Sequence, residues 1–209
     1  MKSDQRIVTG IEEMTKTRSR ISIDGEFAFV LYKGELRRFH LQVGKSINEH
    51  DYETIMKEIL PKRAKLRAMN LLLKKNYTTA QLSAKLSEGG YPEEVTREAL
   101  DYVASFHYTD DLRYALDYVT CHQDDKTRMR MEQDLRAKGI GKDVIEEAFR
   151  KWEEDGGEQD EGRMIRELFR KRGFDPENAT QEERRREYAF LMRKGFTAES
   201  VRKAICIKL

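Results

Sequence analysis

The chain has 209 residues, room for one or two domains. Lys and Arg number 40 against 38 Asp and Glu, a net charge of +2, and charged side chains are as frequent (37%) as hydrophobic ones (38%). The 46 Leu, Ile, Val and Phe residues make up about 22% of the chain, barely above the ~20% below which so charged a sequence reads as disordered. That excludes a thick single core and favours an elongated arrangement of thin modules with short-range cores.

No stretch approaches the ~20 apolar residues that cross a bilayer, and Met1 to Ile11 lacks the apolar run of a secretory signal, so a cytoplasmic protein without membrane contact is expected. Cys121 and Cys206 stand far apart with no CxxC pair, the pattern of reduced structural thiols. The near-zero total charge hides a division: residues 1–60 sum to 0, 61–100 to +4, 101–160 to −7 and 161–209 to +5. Basic ends around an acidic middle suit a partner carrying both signs better than naked nucleic acid.

In chain order, Arg6 to Met14 reads as a strand, and Ile21 and Ile23 alternate with polar residues before Asp24-Gly25, then Phe27, Phe29 and Leu31. Asp-Gly between alternating segments predicts a type I′ hairpin. Lys33-Gly34 repeats the device before a strand over Leu36 to Phe39, completing a small antiparallel β-meander. Gly44-Lys45-Ser46 is not a phosphate loop, because Phe39 stands where that motif needs its first glycine. Ser46 with Glu49 instead predicts a capping box, opening a helix through Tyr52, Ile55, Met56 and Ile59 that Pro61 ends or bends.

From Lys62 a helical pattern recurs three times. With Gly90, Gly139 and Gly195 in register, the residue four before each is Leu86, Leu135 and Leu191, and the next is Tyr91, Ile140 and Phe196. Nine residues on stand Ala99, Ala148 and Ala204. Each glycine closes a helix in the left-handed conformation, and the apolar residue after it plugs the corner. The following helix opens at Pro92 in the first unit and Thr197 in the third, with core stripes Val95, Ala99, Val103, Phe106, then Val144, Ile145, Ala148, Phe149, Trp152, then Val201, Ala204, Ile205.

An amphipathic segment precedes each glycine-ended helix: Leu66, Met69, Leu72 and Leu73; Leu112, Ala115, Leu116 and Val119; Ile165, Leu168 and Phe169. Thr78 with Gln81 and Thr180 with Glu183 form capping boxes for two middle helices. The predicted fold is mainly α: an elongated array of three tandem three-helix repeats, at 62–107, 108–153 and 154–209, preceded by a β-meander and helix at 1–61. The acidic stretch Glu153 to Gly162 reads as a hinge.

His40, His50, His107 and His122 fall in no metal-ligand spacing, Asp110-Asp111 reads as a helix start, and no nucleophile, base and acid set assembles. A non-enzymatic protein without metal or cofactor is expected.

Phe106, Tyr108, Asp110, Asp111, Tyr114 and Ala115, together with Leu135-Arg136-Ala137-Lys138-Gly139-Ile140 and Ile145, Ala148 and Phe149, resemble the RecX family of regulators of the RecA recombinase. The likeness covers residues 62–209. It implies a protein that lodges along the groove of the RecA filament on single-stranded DNA, bridges neighbouring subunits, and restrains ATP hydrolysis, strand exchange and coprotease activity. The family supplies no catalytic residues and no fixed contact motif.

The contact candidates therefore come from charge: Lys74, Lys75 and Lys85 in the first repeat; Arg128, Arg130, Arg136 and Lys138 in the second; Arg184, Arg185, Arg186, Arg193 and Lys194 in the third. The expected partner of a monomeric chain is the RecA filament, with weak contact to single- or double-stranded DNA. The alternative is a helical nucleic-acid-binding protein acting on DNA directly through its basic faces.

Overall fold

The computed structural model describes residues 5–205. Cys206 lies outside them; Cys121 is free but exposed, a surface thiol where a structural one was expected. The chain divides into two compact units, one ending at Asp110 and the other beginning at Asp111.

The first unit opens with strands β1 (Arg6–Glu13), β2 (Arg18–Ile23) and β3 (Glu26–Tyr32). The β2–β3 hairpin turns on Asp24 (φ 51°) and Gly25 (φ 88°), both left-handed as a type I′ turn requires. The second expected hairpin is absent: Lys33–Arg38 form a short helix, α1, so Lys33-Gly34 start a helix rather than turn a strand. Tyr32 caps it, its backbone N–H donating to Glu35 at 2.8 Å.

Ser46 is likewise not a helix cap. Ser46–Ile47 form strand β4 beside β1, completing a sheet of order β3-β2-β1-β4. Helix α2 (Glu49–Thr54) is capped instead by Asn48, which accepts from the Asp51 amide at 2.8 Å. Nor does Pro61 end the helical run. A π-helical turn at Ile55–Ile59 leads directly into α3 (Leu60–Leu72), with Pro61 in the first turn of α3. A wider turn accommodates a residue that offers no N–H and crowds the carbonyl four positions back.

Helices α4 (Thr79–Glu88) and α5 (Glu93–Ser105) complete the first repeat, and the capping box of Thr78 and Gln81 is present. Ile21, Phe29 and Leu31 of the sheet share one core with Ile55, Leu60, Ala64, Leu82, Leu86, Val95 and Val103. The expected inner face of α3 is half met: Met69 and Leu72 are partly buried and pack on the core, but Leu66 is 60% and Leu73 83% exposed, and the fully packed face is Leu60, Ala64, Ala68 and Leu71. Phe106 too is outside the core, 54% exposed and stacked on Tyr108 with ring centroids 5.8 Å apart.

In the second unit, α6 (Asp111–His122), α7 (Arg128–Ala137) and α8 (Lys142–Glu154) pack around Val119, Leu135, Ile145, Phe149 and Trp152. Helices α9 (Glu161–Arg172), α10 (Gln181–Lys194) and α11 (Ala198–Ile205) pack around Ile165, Phe169, Leu191 and Val201. The capping box of Thr180 and Glu183 is present, and Thr197 caps α11 through the Ser200 amide.

The three corners are built alike. Gly90, Gly139 and Gly195 have φ of 83°, 83° and 91°. The amides of Tyr91, Ile140 and Phe196 reach back to the carbonyls of Leu86, Leu135 and Leu191 at 3.4, 3.2 and 3.3 Å, the six-to-one bond of a Schellman corner. Those three leucines are fully buried, worth about 2 kcal/mol each in apolar transfer. The structure is thus three tandem three-helix repeats preceded by a small antiparallel sheet.

Candidate functional site

Within the second unit, the two repeats meet along a polar seam. Thr127 is 2% exposed and its hydroxyl works twice: it accepts from the Arg130 amide as the cap of α7 and donates to the Lys194 carbonyl at 2.8 Å. Gly195 follows so closely that a Cβ there would stand 2.7 Å from both Thr127 Oγ1 and Met129 Cε.

The segment expected to be a hinge is instead stitched down. The Gln159 amide donates to the carbonyls of Gln123 and Lys126, at 3.0 and 2.6 Å, and accepts from the Arg128 amide at 3.1 Å. Arg163 pairs with Asp124, and Gly157 lies flat against the Trp152 ring.

On one side of this seam lies a groove of about 560 Å³. Met129, Leu168, Phe190 and Phe196 supply its apolar lining, and Lys126, Arg130, Arg193 and Lys194, with the single acid Asp125, its charged lining. Behind them Asp134 accepts from Tyr118 at 2.8 Å and from Lys126 at 3.0 Å, with Arg130 at 3.2 Å. The Lys126 hydrogen bond, more than the Tyr118 one, holds the Asp134 carboxyl below the ordinary carboxylate range. Lys126 is raised, first by its bond to Tyr118, and burial raises the Tyr118 phenol. The network therefore keeps one sign pattern across the physiological range.

Of the sequence-derived contact residues, the groove gathers Arg130, Arg193 and Lys194. Lys126, Met129, Phe190 and Phe196 were missed. The basic charge of Lys126 was a usable signal, whereas the aromatic residues come together only through folding. Arg128 serves the fold: it lies 4.4 Å over the Phe149 ring and pairs with Glu132 and Glu153. It also lines a second, mixed-charge cleft of about 920 Å³ with Glu158, Asp160, Arg163, Arg166 and Lys203. Arg136 is 3.8 Å from Glu132, and Lys138 lies over the rings of Tyr114 and Tyr118.

Arg184, Arg185 and Arg186 do not form one patch, because consecutive helical residues point in different directions. Arg184 is half-buried and donates to the Glu177 carbonyl, Arg185 is exposed, and Arg186 pairs with Glu182. In the first unit Lys74 is exposed, Lys75 sits 4.6 Å over Tyr77, and Lys85 pairs with Glu88 at 2.7 Å. Among the described residues no group of three His, Cys, Asp or Glu is placed to hold a metal, and no helix is long and apolar enough to cross a membrane.

Fold and groove together define a sheet-capped tandem-repeat protein that carries a basic and apolar groove in its second unit. Family models for the first, second and third three-helix domains of RecX match residues 64–102, 110–148 and 158–205. The chain belongs to the RecX family, a family of regulatory proteins. It is 31% identical to regulatory protein RecX of Trichlorobacter lovleyi over 68% of this chain and 93% of that one. It is 28% identical to that of Caldanaerobacter subterraneus subsp. tengcongensis over 93% and 95%. A crystal structure of regulatory protein RecX superposes with a TM-score of 0.61 at 26% identity, covering 96% of this chain and 98% of that one. That of RecX from Lactobacillus salivarius, at 18% identity, shares the fold with a TM-score of 0.58 over 70% and 95%.

Proposed function

We propose that the chain binds the RecA filament on single-stranded DNA and restrains its ATPase, strand exchange and coprotease activities, as a cytoplasmic monomer that acts by binding rather than catalysis. The observation that supports this most is the groove of the second unit, which Lys126, Arg130, Arg193 and Lys194 line together with the apolar side chains of Met129, Phe190 and Phe196. A surface built to neutralise phosphates alone has no use for an apolar floor, whereas protein interfaces combine apolar anchors with a charged rim. Tandem repeats give one chain more than one point of contact with a polymer, and linking neighbouring subunits opposes the relative motion of an ATPase cycle.

The test is RecA's DNA-dependent ATPase at substoichiometric amounts of the protein. Wild type lowers it, and Arg193→Glu with Lys194→Glu weakens inhibition about tenfold or more, as expected of charge reversal at an interface. Undiminished hydrolysis while the protein is demonstrably bound would sink this reading. The alternative, direct clamping of DNA, demands binding to naked DNA that falls steeply with salt. No affinity for DNA at low salt would eliminate it.

A further inference from the structure

The groove of the second unit has an uneven charged lining, four cations against one carboxylate. That carboxylate, Asp125, lies 3.1 Å from His122, and Lys126 and Arg130 share Asp134. Arg193 and Lys194 are exposed, and neither forms an ion pair among the described residues. Their charge is therefore available to an anionic ligand.

The apolar lining adjoins that charge. Lys194 Nζ lies 5.6 Å from the centre of the Phe190 ring, and exposed Met129 stands in the first turn of α7 next to Arg130. Methionine adapts to varied shapes, as a surface that receives a foreign side chain requires. The volume of about 560 Å³ falls within the ~300–1,000 Å³ of pockets that enclose a ligand, room for one bulky side chain and the residues beside it. A nucleic-acid backbone would supply the anion but no apolar group for Met129 and Leu168. The chain's own acidic connector is tied down through Gln159 and Arg163 and is not free to enter the groove of a second copy.

We infer that this groove takes a short linear acidic segment of the partner carrying one bulky apolar anchor. The anchor packs on Met129, Leu168 and Phe190, and carboxylates beside it pair with Arg193 and Lys194. For the partner's identity this rests on the reading given under Proposed function; the chemistry of what enters the groove stands on the lining itself.

The test uses full-length protein and a fluorescein-labelled peptide of about nine residues, a single phenylalanine among aspartates and glutamates; so short a chain holds no helix in water. Fluorescence anisotropy should show binding that weakens at least about tenfold when the phenylalanine becomes serine, and likewise when the acids become their amides. Arg193→Ala with Lys194→Ala should weaken it by a similar factor. Both residues are exposed, so the circular dichroism of that variant, recorded alongside, should match wild type. No binding, binding indifferent to the phenylalanine, or equal binding by the double variant overturns the inference. So does a single-stranded oligonucleotide of equal charge that binds more tightly than the peptide and displaces it, or wild-type self-association that the two substitutions abolish. RecA ATPase inhibition is measured in parallel. Inhibition without peptide binding overturns this inference alone, whereas peptide binding without inhibition upholds it and removes the earlier reading.

Discussion

Thr127 and Lys194 lie 67 positions apart and are joined by a 2.8 Å hydrogen bond from the threonine hydroxyl to the lysine carbonyl. The acceptor closes α10 and the donor opens α7, so two helix ends, each with unsatisfied backbone groups, are completed by one side chain. Thr127→Val removes both the cap and the bond and is expected to cost about 2–4 kcal/mol, from ~1 for a cap and 1–3 for a buried group left unpaired. Thr127→Ser should be nearly neutral. Urea denaturation of the three proteins checks the order; equal midpoints for valine and serine would contradict it.

Gly90 and Gly195, closely packed, should differ from glycines with open space around them. A Cβ at Gly90 would stand 2.1 Å from Val30 Cγ2, and one at Gly195 would meet Thr127 and Met129, whereas Gly25 and Gly173 have open space. All four have positive φ. Alanine at Gly25 or Gly173 is therefore expected to cost about 1–2 kcal/mol from conformation, and at Gly90 or Gly195 a further ~1–3 from overpacking. Val30→Ala should recover part of the Gly90→Ala loss, which a double-mutant cycle measures.

Glu187 is 5% exposed and receives two bonds from Arg172, at 2.9 and 3.1 Å, while the same guanidinium covers Phe190 at 4.0 Å. Arg172→Lys keeps the charge but loses the fork and the stack, so it is expected to destabilise the protein by roughly 1–2 kcal/mol. Thermal unfolding with an unchanged midpoint in Arg172→Lys would remove the clamp from this account.

Acid should weaken the Asp134 network. Its carboxyl is lowered in the fold, so its contribution is complete above the unfolded value near ~3.9 and disappears as pH falls through the lower folded value. Lys126 is raised, so its contribution is complete below ~10.4 and is lost only above that. Asp134→Asn is therefore expected to be less stable than wild type at neutral pH and to lose less on titration below about pH 4. Parallel stability curves for the two proteins in that range would refute this.

For function, Arg184→Ala, Arg185→Ala and Arg186→Ala together are expected to reduce inhibition with unchanged circular dichroism, but by less than Arg193→Glu with Lys194→Glu. The three arginines are spread around α10, and ten residues of helix, ~15 Å, separate Arg184 from Lys194. A larger effect from the triple change would move the contact surface toward the start of α10.

Local chemistry made much of the fold legible. The glycine register, the capping boxes at Thr78 and Thr180, and the Asp24-Gly25 hairpin each depend on residues within a few positions of one another. The misreadings arose where two local solutions compete. Helix α3 carries apolar residues on both faces, and the buried one is built partly from the small side chains of Ala64 and Ala68, which a stripe of large apolar residues does not reveal. Ser46 and Asn48 can both cap, and pairing of Ser46 with Ile7 in the sheet decides between them. The groove was legible only in its charges: Met129, Leu168, Phe190 and Phe196 occupy separate helices and corners, and no sequence period links them.

Gln159 fixes the connector between the second and third repeats. A single amide holding two carbonyls and one N–H of the neighbouring repeat leaves the acidic connector little freedom to swing. The groove lined by Lys126 and Thr127 is thus held in shape, and a partner entering it as proposed would forfeit little conformational entropy of the host, so binding strength there should depend on the match of shapes and charges.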